Sequence, residues 1–171
     1  MPKQNGVNNG QGFIWKTEKW NGGSSSYNAT YFANVSGTVC PNGVLASQYD
    51  AAYVATNGAA RMPTLDEINE LTANTTSVWT SKTASDGTTV YGREFTSKAN
   101  SNKLFIPASG FFSNGSHLNF GGSRGYYWYS SLFSSSPYYA FNFYFNGDGC
   151  DWNHNNRCLG YSVRGVLVSK N

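Results

Sequence analysis

Charge is scarce in this chain of 171 residues: Asp, Glu, Lys and Arg together make up only 12% of it, about half the usual share. A disordered acidic or basic tail is thereby excluded, as is a coiled coil with Glu/Lys-rich heptads. Strong helix formers are too few for a helical bundle. No apolar run approaches the ~20 residues needed to cross a bilayer. Met1–Gly6 lacks the apolar stretch of a signal peptide, so either the protein is not exported by that route or a leader has been removed. Three cysteines, Cys40, Cys150 and Cys158, are too few and odd in number for a disulfide framework. A local Cys150–Cys158 bridge and free thiols both stay open, with free thiols favoured in the absence of an export signal. The net charge of +3 comes from 12 basic residues spread thinly, with no run of three, so nucleic acid is not an expected partner.

Catalytic and metal motifs are also missing. Asp148, Cys150, Asp151, His154 and Cys158 form the one cluster of metal-ligand types, but their spacing fits no standard zinc pattern. Asp148-Gly149-Cys150-Asp151 resembles part of a calcium loop and lacks the later bidentate Glu; a polar turn is the favoured reading. There is no G-x-S-x-G nucleophile elbow, Ser109-Gly110 and Ser123-Arg124-Gly125 read as turns, and His117 reads as a loop residue. Gly121-Gly122 opens no phosphate-binding helix. The expectation is therefore no catalytic residue, no metal and no cofactor.

What is present is Gly, Ser, Asn, Thr and aromatic residue, the last at 16%. Residues 1–11, rich in Gly, Asn and Gln, read as a flexible arm, and 12–171 as a single domain. Strands are expected at Phe13–Trp15 and Tyr31–Val39, the latter ending at the Cys40-Pro41-Asn42-Gly43 turn. Ser47–Ala55 reads as a short helix closed by Asn57-Gly58. A second helix starts after Thr64, which forms a capping box with Glu67; Leu65, Ile68 and Leu71 give it one apolar face, and it ends near Ala73–Thr76. Short strands follow at Val78–Thr80, Val90–Tyr91, Arg93–Phe95, Lys103–Pro107, Phe143–Asn146 and Tyr161–Val168. The fold class is α+β, with two short helices, short antiparallel strands and a loop-rich C-terminal half.

Residues 126–161 stand apart. They hold 13 of the 28 aromatics but only three charged residues, Asp148, Asp151 and Arg157. Tyr mixed with Ser, Asn and Gly is the composition of evolved binding loops, where Tyr supplies rigid contact area and Ser and Asn adaptable hydrogen bonds. The segment also contains no Lys, Glu, Gln or Met, against 16 of them elsewhere. An Asn codon randomised at its two adenines yields Tyr, Phe, Ser, Asp, His, Cys, Gly, Leu and Asn, and never Lys, Glu, Gln, Met or Trp. The segment thus has the composition of an Asn-rich template mutagenised at adenine, with Trp128 and Trp152 as fixed scaffold.

Five motifs in series carry a resemblance: Tyr49-Asp50-Ala51-Ala52, Arg61-Met62-Pro63-Thr64-Leu65-Asp66-Glu67, Leu104-Phe105-Ile106-Pro107-Ala108-Ser109-Gly110, Gly125-Tyr126-Tyr127-Trp128-Tyr129-Ser130-Ser131, and Asn156-Arg157 with Gly160-Tyr161-Ser162-Val163-Arg164. Over about residues 45–166 the chain resembles a bacterial and phage family of C-type-lectin-like domains, related to formylglycine-generating-enzyme-like domains. One branch comprises the variable proteins of diversity-generating retroelements, whose C-terminal lectin loops are rewritten from an Asn-rich template. The resemblance implies a fixed scaffold at Trp128, Ser130, Ser131, Leu132, Ala140, Phe143, Phe145, Arg157, Gly160, Ser162, Val163 and Arg164. It implies changeable, ligand-binding positions at Tyr127, Tyr129, Phe133, Tyr138, Tyr139, Phe141, Asn142, Tyr144, Asn146, Asp148, Cys150, Asp151, His154, Asn156, Cys158 and Leu159. Asn142, Tyr144 and Asn146 would share one strand face, opposite Phe143 and Phe145. Cys150 and Cys158 would be accidents of randomisation. Asp151-Trp152-Asn153 is not the calcium-lectin signature, and the sequence around Cys150 and Cys158 is not that of the formylglycine-generating enzymes, so neither calcium-mediated sugar binding nor that oxidase activity is expected.

The function so implied is a non-enzymatic receptor-binding protein on a phage tail or a bacterial surface. Its partner would be a macromolecule, a protein on a host or neighbouring cell before a glycan, with homo-oligomerisation as an option. The alternatives are a fixed-sequence carbohydrate-binding lectin and an adhesin or decoration module. On this reading Ala at Tyr127, Tyr138 and Tyr144 abolishes ligand binding and leaves thermal melting nearly unchanged; a large drop in melting temperature places these residues in the core instead.

Overall fold

One carboxylate breaks the first expected helix. In the computed structural model, which describes residues 39–113, 117–136, 139–157 and 159–168, Ser47–Tyr49 form a single 3-10 turn and helix α1 spans only Ala51–Ala55. Asp50 separates them. Its Oδ1 accepts the N–H groups of Ala52 and Tyr53, both at 2.9 Å, which holds Asp50 extended as the N-cap. The same carboxylate accepts the Met62 N–H at 3.1 and 2.9 Å and is 3% exposed. The expected arm over 1–11, the strand at Phe13–Trp15 and all but the end of the strand over Tyr31–Val39 lie outside the described residues.

Helix α2, Leu65–Asn74, forms as its spacing predicts. Thr64 Oγ1 accepts the Glu67 N–H at 3.3 Å, and Glu67 Oε2 accepts the Thr64 N–H at 2.9 Å, the reciprocal capping box. The Arg61 guanidinium grips Glu67 at 2.7 and 2.6 Å and is the main reason its carboxyl sits below the usual range. At Thr75 the chain passes from α2 directly into a strand.

Ten strands lie among the described residues, in chain order: β1 Ala60–Arg61, β2 Thr75–Thr83, β3 Thr89–Ser97, β4 Lys103–Pro107, β5 Phe111–Ser113, β6 His117–Asn119, β7 Gly125–Trp128, β8 Tyr139–Phe145, β9 Cys150–Asn156 and β10 Val166–Leu167. They build two three-stranded sheets, β2-β3-β4 and β7-β8-β9, and two pairs, β1-β10 and β5-β6, all antiparallel. The architecture is mixed helix and sheet, mostly strand with few short helices. Two expected strands, Val90–Tyr91 and Arg93–Phe95, fuse into β3 through Gly92. A Cβ at Gly92 would sit 2.3 Å from the Ile106 carbonyl oxygen, so the close approach of β4 requires glycine there. The expected strand at Tyr161–Val168 shrinks to Val166–Leu167, because Ser162 instead forms a parallel bridge to Tyr127.

The apolar core joins both three-stranded sheets and α2: Ile68, Phe95, Ile106, Ala108, Tyr127, Tyr129, Phe143 and Phe145. Phe145 is fully buried and lies over Gly125, where a Cβ would come within 2.1 Å of its ring. Phe143 meets Phe95 at 5.8 Å between ring centroids. Each such ring contributes about 2–3 kcal/mol by burial.

The Asp50 carboxylate saturates three buried or half-buried amides, so Asp50→Ala is expected to lower stability by about 3 kcal/mol, combining a lost helix cap with an orphaned buried N–H. Urea unfolding of the variant measures this; a change within experimental error shows that the carboxylate is not a structural anchor.

Candidate functional site

Strands β7, β8 and β9 carry the segment that composition singles out, and hydrogen bonds at both ends hold them to the rest of the fold. Ser130 donates its N–H to the Pro63 carbonyl at 2.9 Å, and its hydroxyl lies 3.3 and 3.1 Å from the Met62 and Pro63 carbonyls. Ser131 Oγ accepts the Leu65 N–H at 2.9 Å. At the other end, Arg93, buried in β3, donates from Nε to Ser77 Oγ at 2.9 Å and from Nη1 to the Asn146 carbonyl at 2.6 Å. Asn146 shapes the β8–β9 turn, its side-chain oxygen accepting the N–H groups of Asp148 and Gly149 at 3.0 and 3.1 Å.

The register places alternate β8 residues on opposite faces. Phe143 and Phe145 enter the core and Phe141 packs against it, together with Cys150. Asn142 and Tyr144 face the other way, as the alternation predicts. Asn142 is nevertheless fully buried; its side-chain oxygen accepts from Asn155 Nδ2 at 3.3 Å. Tyr144 leans on Tyr126 at 5.2 Å, which continues to Tyr161 and Phe111. Trp128 stacks on Tyr161 at 4.2 Å.

Three of the expected contact residues therefore do not face solvent. Tyr127 and Tyr129 are core residues and Asn142 is buried on the second face. Burial raises the Tyr127 hydroxyl above its ordinary range and pushes that of Tyr129 well above it. The expectation that Tyr127 can be truncated without loss of stability is thus overturned: its ring stacks on Phe145 and its hydroxyl donates to the Pro107 carbonyl at 2.7 Å. Asn146 and Asp148 serve the turn, Asn146 Nδ2 donating to Asp148 Oδ2 at 3.1 Å.

The structure brings four others together. His154 stacks on Phe133 at 4.3 Å with planes 14° apart, and Tyr139 and Phe141 lie against Phe133 at 6.2 and 5.0 Å. Trp152 meets Phe141 edge-on at 5.7 Å and is 48% exposed. Asp151 and Asn156 are exposed and Leu159 is half-buried. Tyr138 and Cys158 lie outside the described residues, and Cys150 is a free thiol. Trp152 was missed as a surface residue because its codon cannot arise from the adenine pattern. Exposed Phe120, with the Arg124 guanidinium 4.0 Å from its ring, was missed because it precedes the segment.

The buried polar residues Asp50, Arg93, Glu94 and Ser130 are hydrogen-bonded. Among the described residues, Tyr129 Oη, Asn142 Nδ2 and His154 Nδ1 are buried without a hydrogen-bond partner. Among the described residues no group of three or more His, Cys, Asp or Glu is placed to hold a metal ion, and no helix is long and apolar enough to cross a membrane. No protein-family model, curated protein or solved structure matches this chain.

Two neighbouring tyrosines give opposite expectations. Tyr127→Phe removes a satisfied hydroxyl and lowers stability by about 1 kcal/mol, whereas Tyr129→Phe removes an unsatisfied one and raises it by a similar amount, or about 2–4 °C in Tm for a domain of this size. Calorimetry of both variants checks this; loss of stability in Tyr129→Phe shows that its hydroxyl has a partner.

Proposed function

We propose that this protein is a non-enzymatic binding module of C-type-lectin-like fold. Its β8–β9 hairpin and the preceding loop recognise a macromolecular ligand, and their side chains are rewritten by a diversity-generating retroelement. The observation that carries the proposal is the way the hairpin is held. Arg93 and the β7 backbone grip it through the carbonyl oxygens of Asn146 and Phe141, groups that every residue type possesses. Side chains there can change without loss of the grip.

Phe133, Tyr139, Phe141, Trp152 and His154 form the aromatic centre of the contact surface, with Asp151 and Asn156 on its rim. Large rigid rings with a polar rim suit a protein partner, and the display site is a phage tail or a bacterial surface. The exposed Trp152 ring favours one second reading, stacking on a sugar of a surface glycan.

The test is binding of the intact protein to candidate host or neighbouring cells. Trp152→Ala and Tyr139→Ala are expected to reduce cell binding at least tenfold, the loss of a central aromatic contact, while Tm stays near the parent value. Undiminished binding by both variants contradicts the assignment of this surface. Binding that free monosaccharide competes away transfers it to the glycan reading.

A further inference from the structure

Strand β9 lies at the edge of its sheet, and Asp151, Trp152 and Asn153 are exposed in succession, so this stretch meets solvent on both faces. Among the described residues no strand pairs with β9 on its outer side, and an edge of this kind is a template for pairing with another strand. Which peptide groups point outward follows from the ladder. The Tyr129 N–H donates to the Phe141 carbonyl at 3.1 Å, so Phe141 directs its peptide groups toward β7. Peptide groups alternate along a strand, so Asn142 and Tyr144 direct theirs toward β9. Their register partners, Asn153 and Asp151, direct theirs back. Trp152 and His154 therefore point their N–H and C=O groups away from the sheet.

Those two outward N–H groups are occupied. Trp152 donates to Asp151 Oδ1 and His154 to Asn153 Oδ1, each at 2.7 Å. In both cases the acceptor is the side chain one residue earlier. An incoming antiparallel strand needs these hydrogens for its carbonyls. Here it meets a carboxylate and an amide oxygen in their place, and two copies approaching about a two-fold axis bring two Asp151 charges together.

We propose that Asp151 and Asn153 guard the β9 edge. They hold its central amide hydrogens and prevent a second copy of this chain from adding β9 to β9 as one continuous six-stranded sheet. The hairpin then meets its partners through side chains and not through strand addition. The inference stands on the strand register and these two hydrogen bonds and is independent of what the surface binds.

Sedimentation velocity over a concentration series, with amide hydrogen exchange at Trp152 and His154, tests it on the full chain. Two double variants free the edge: Asp151→Ala with Asn153→Ala, and Asp151→Glu with Asn153→Gln. The second keeps the charge and the polar groups but lengthens each side chain past its neighbouring N–H. Both are expected to dimerise at least tenfold more tightly than the parent, with slowed exchange at the two amides in the dimer. Asp151→Asn keeps the acceptor and removes the charge, and is expected to behave as the parent. Dimerisation of the parent through these amides overturns the proposal, as does unchanged association of both double variants. Association of Asp151→Asn equal to that of the double variants also overturns it, because charge repulsion and not amide capture then keeps the edge closed.

Discussion

The Asp50 carboxylate joins segments that the sequence sets twelve residues apart, and the rest of the hairpin platform depends on that junction. A buried carboxylate is tolerated only when its oxygens are met by donors; here α1 supplies two N–H groups and Met62 a third. With Met62 fixed, the Met62 and Pro63 carbonyls stand where Ser130 receives them. Ser131 then takes the first free amide of α2. The end of β7 is thus bound to the helical half of the chain, and β8 follows it through the Tyr129–Phe141 bond. Arg93 closes the frame from the opposite side at Asn146.

The frame also explains why the expected contact positions do not all face solvent. The side-chain period of a strand is two, and β8 lies between two packed faces: the core around Phe143 and Phe145, and the aromatic layer of Tyr126, Trp128 and Tyr161. Side chains along β8 therefore alternate between the two layers. Asn142 lies in the second, its side-chain oxygen accepting from Asn155 Nδ2. Tyr129 is buried in the core, where burial raises its hydroxyl and the nearby Asp151 carboxylate reinforces the effect.

Local chemistry made the helical half legible. Thr64 and Glu67 mark the start of α2 because a capping box is complete within four residues, and Lys103–Pro107 reads as a strand because its apolar run is bounded by turns. Ser47–Ala55 was misread because the acceptor that breaks it, Asp50, has its decisive partner at Met62. Strand β9 was invisible for a different reason: Cys-Asp-Trp-Asn-His-Asn-Asn has almost no strand-forming residues, and it is a strand because β8 pairs with it along its full length. At the candidate site, composition located the segment and the alternation of Phe143 and Phe145 gave its inward face. Burial of Tyr127, Tyr129 and Asn142 was hidden because it is imposed by neighbours from β3, β4 and the 161–162 stretch.

If a constant frame carries a hairpin whose side chains are rewritten from a template, that template lies in the DNA near the gene. Sequencing the few kilobases around the gene tests it most directly. The account predicts a near-copy of the DNA encoding residues 126–166 that differs only where the copy carries adenine. It also predicts that the codons for Ser130, Phe143 and Phe145 agree between the two. Absence of a copy, with an invariant segment among isolates, contradicts diversification and leaves a binding module of fixed sequence.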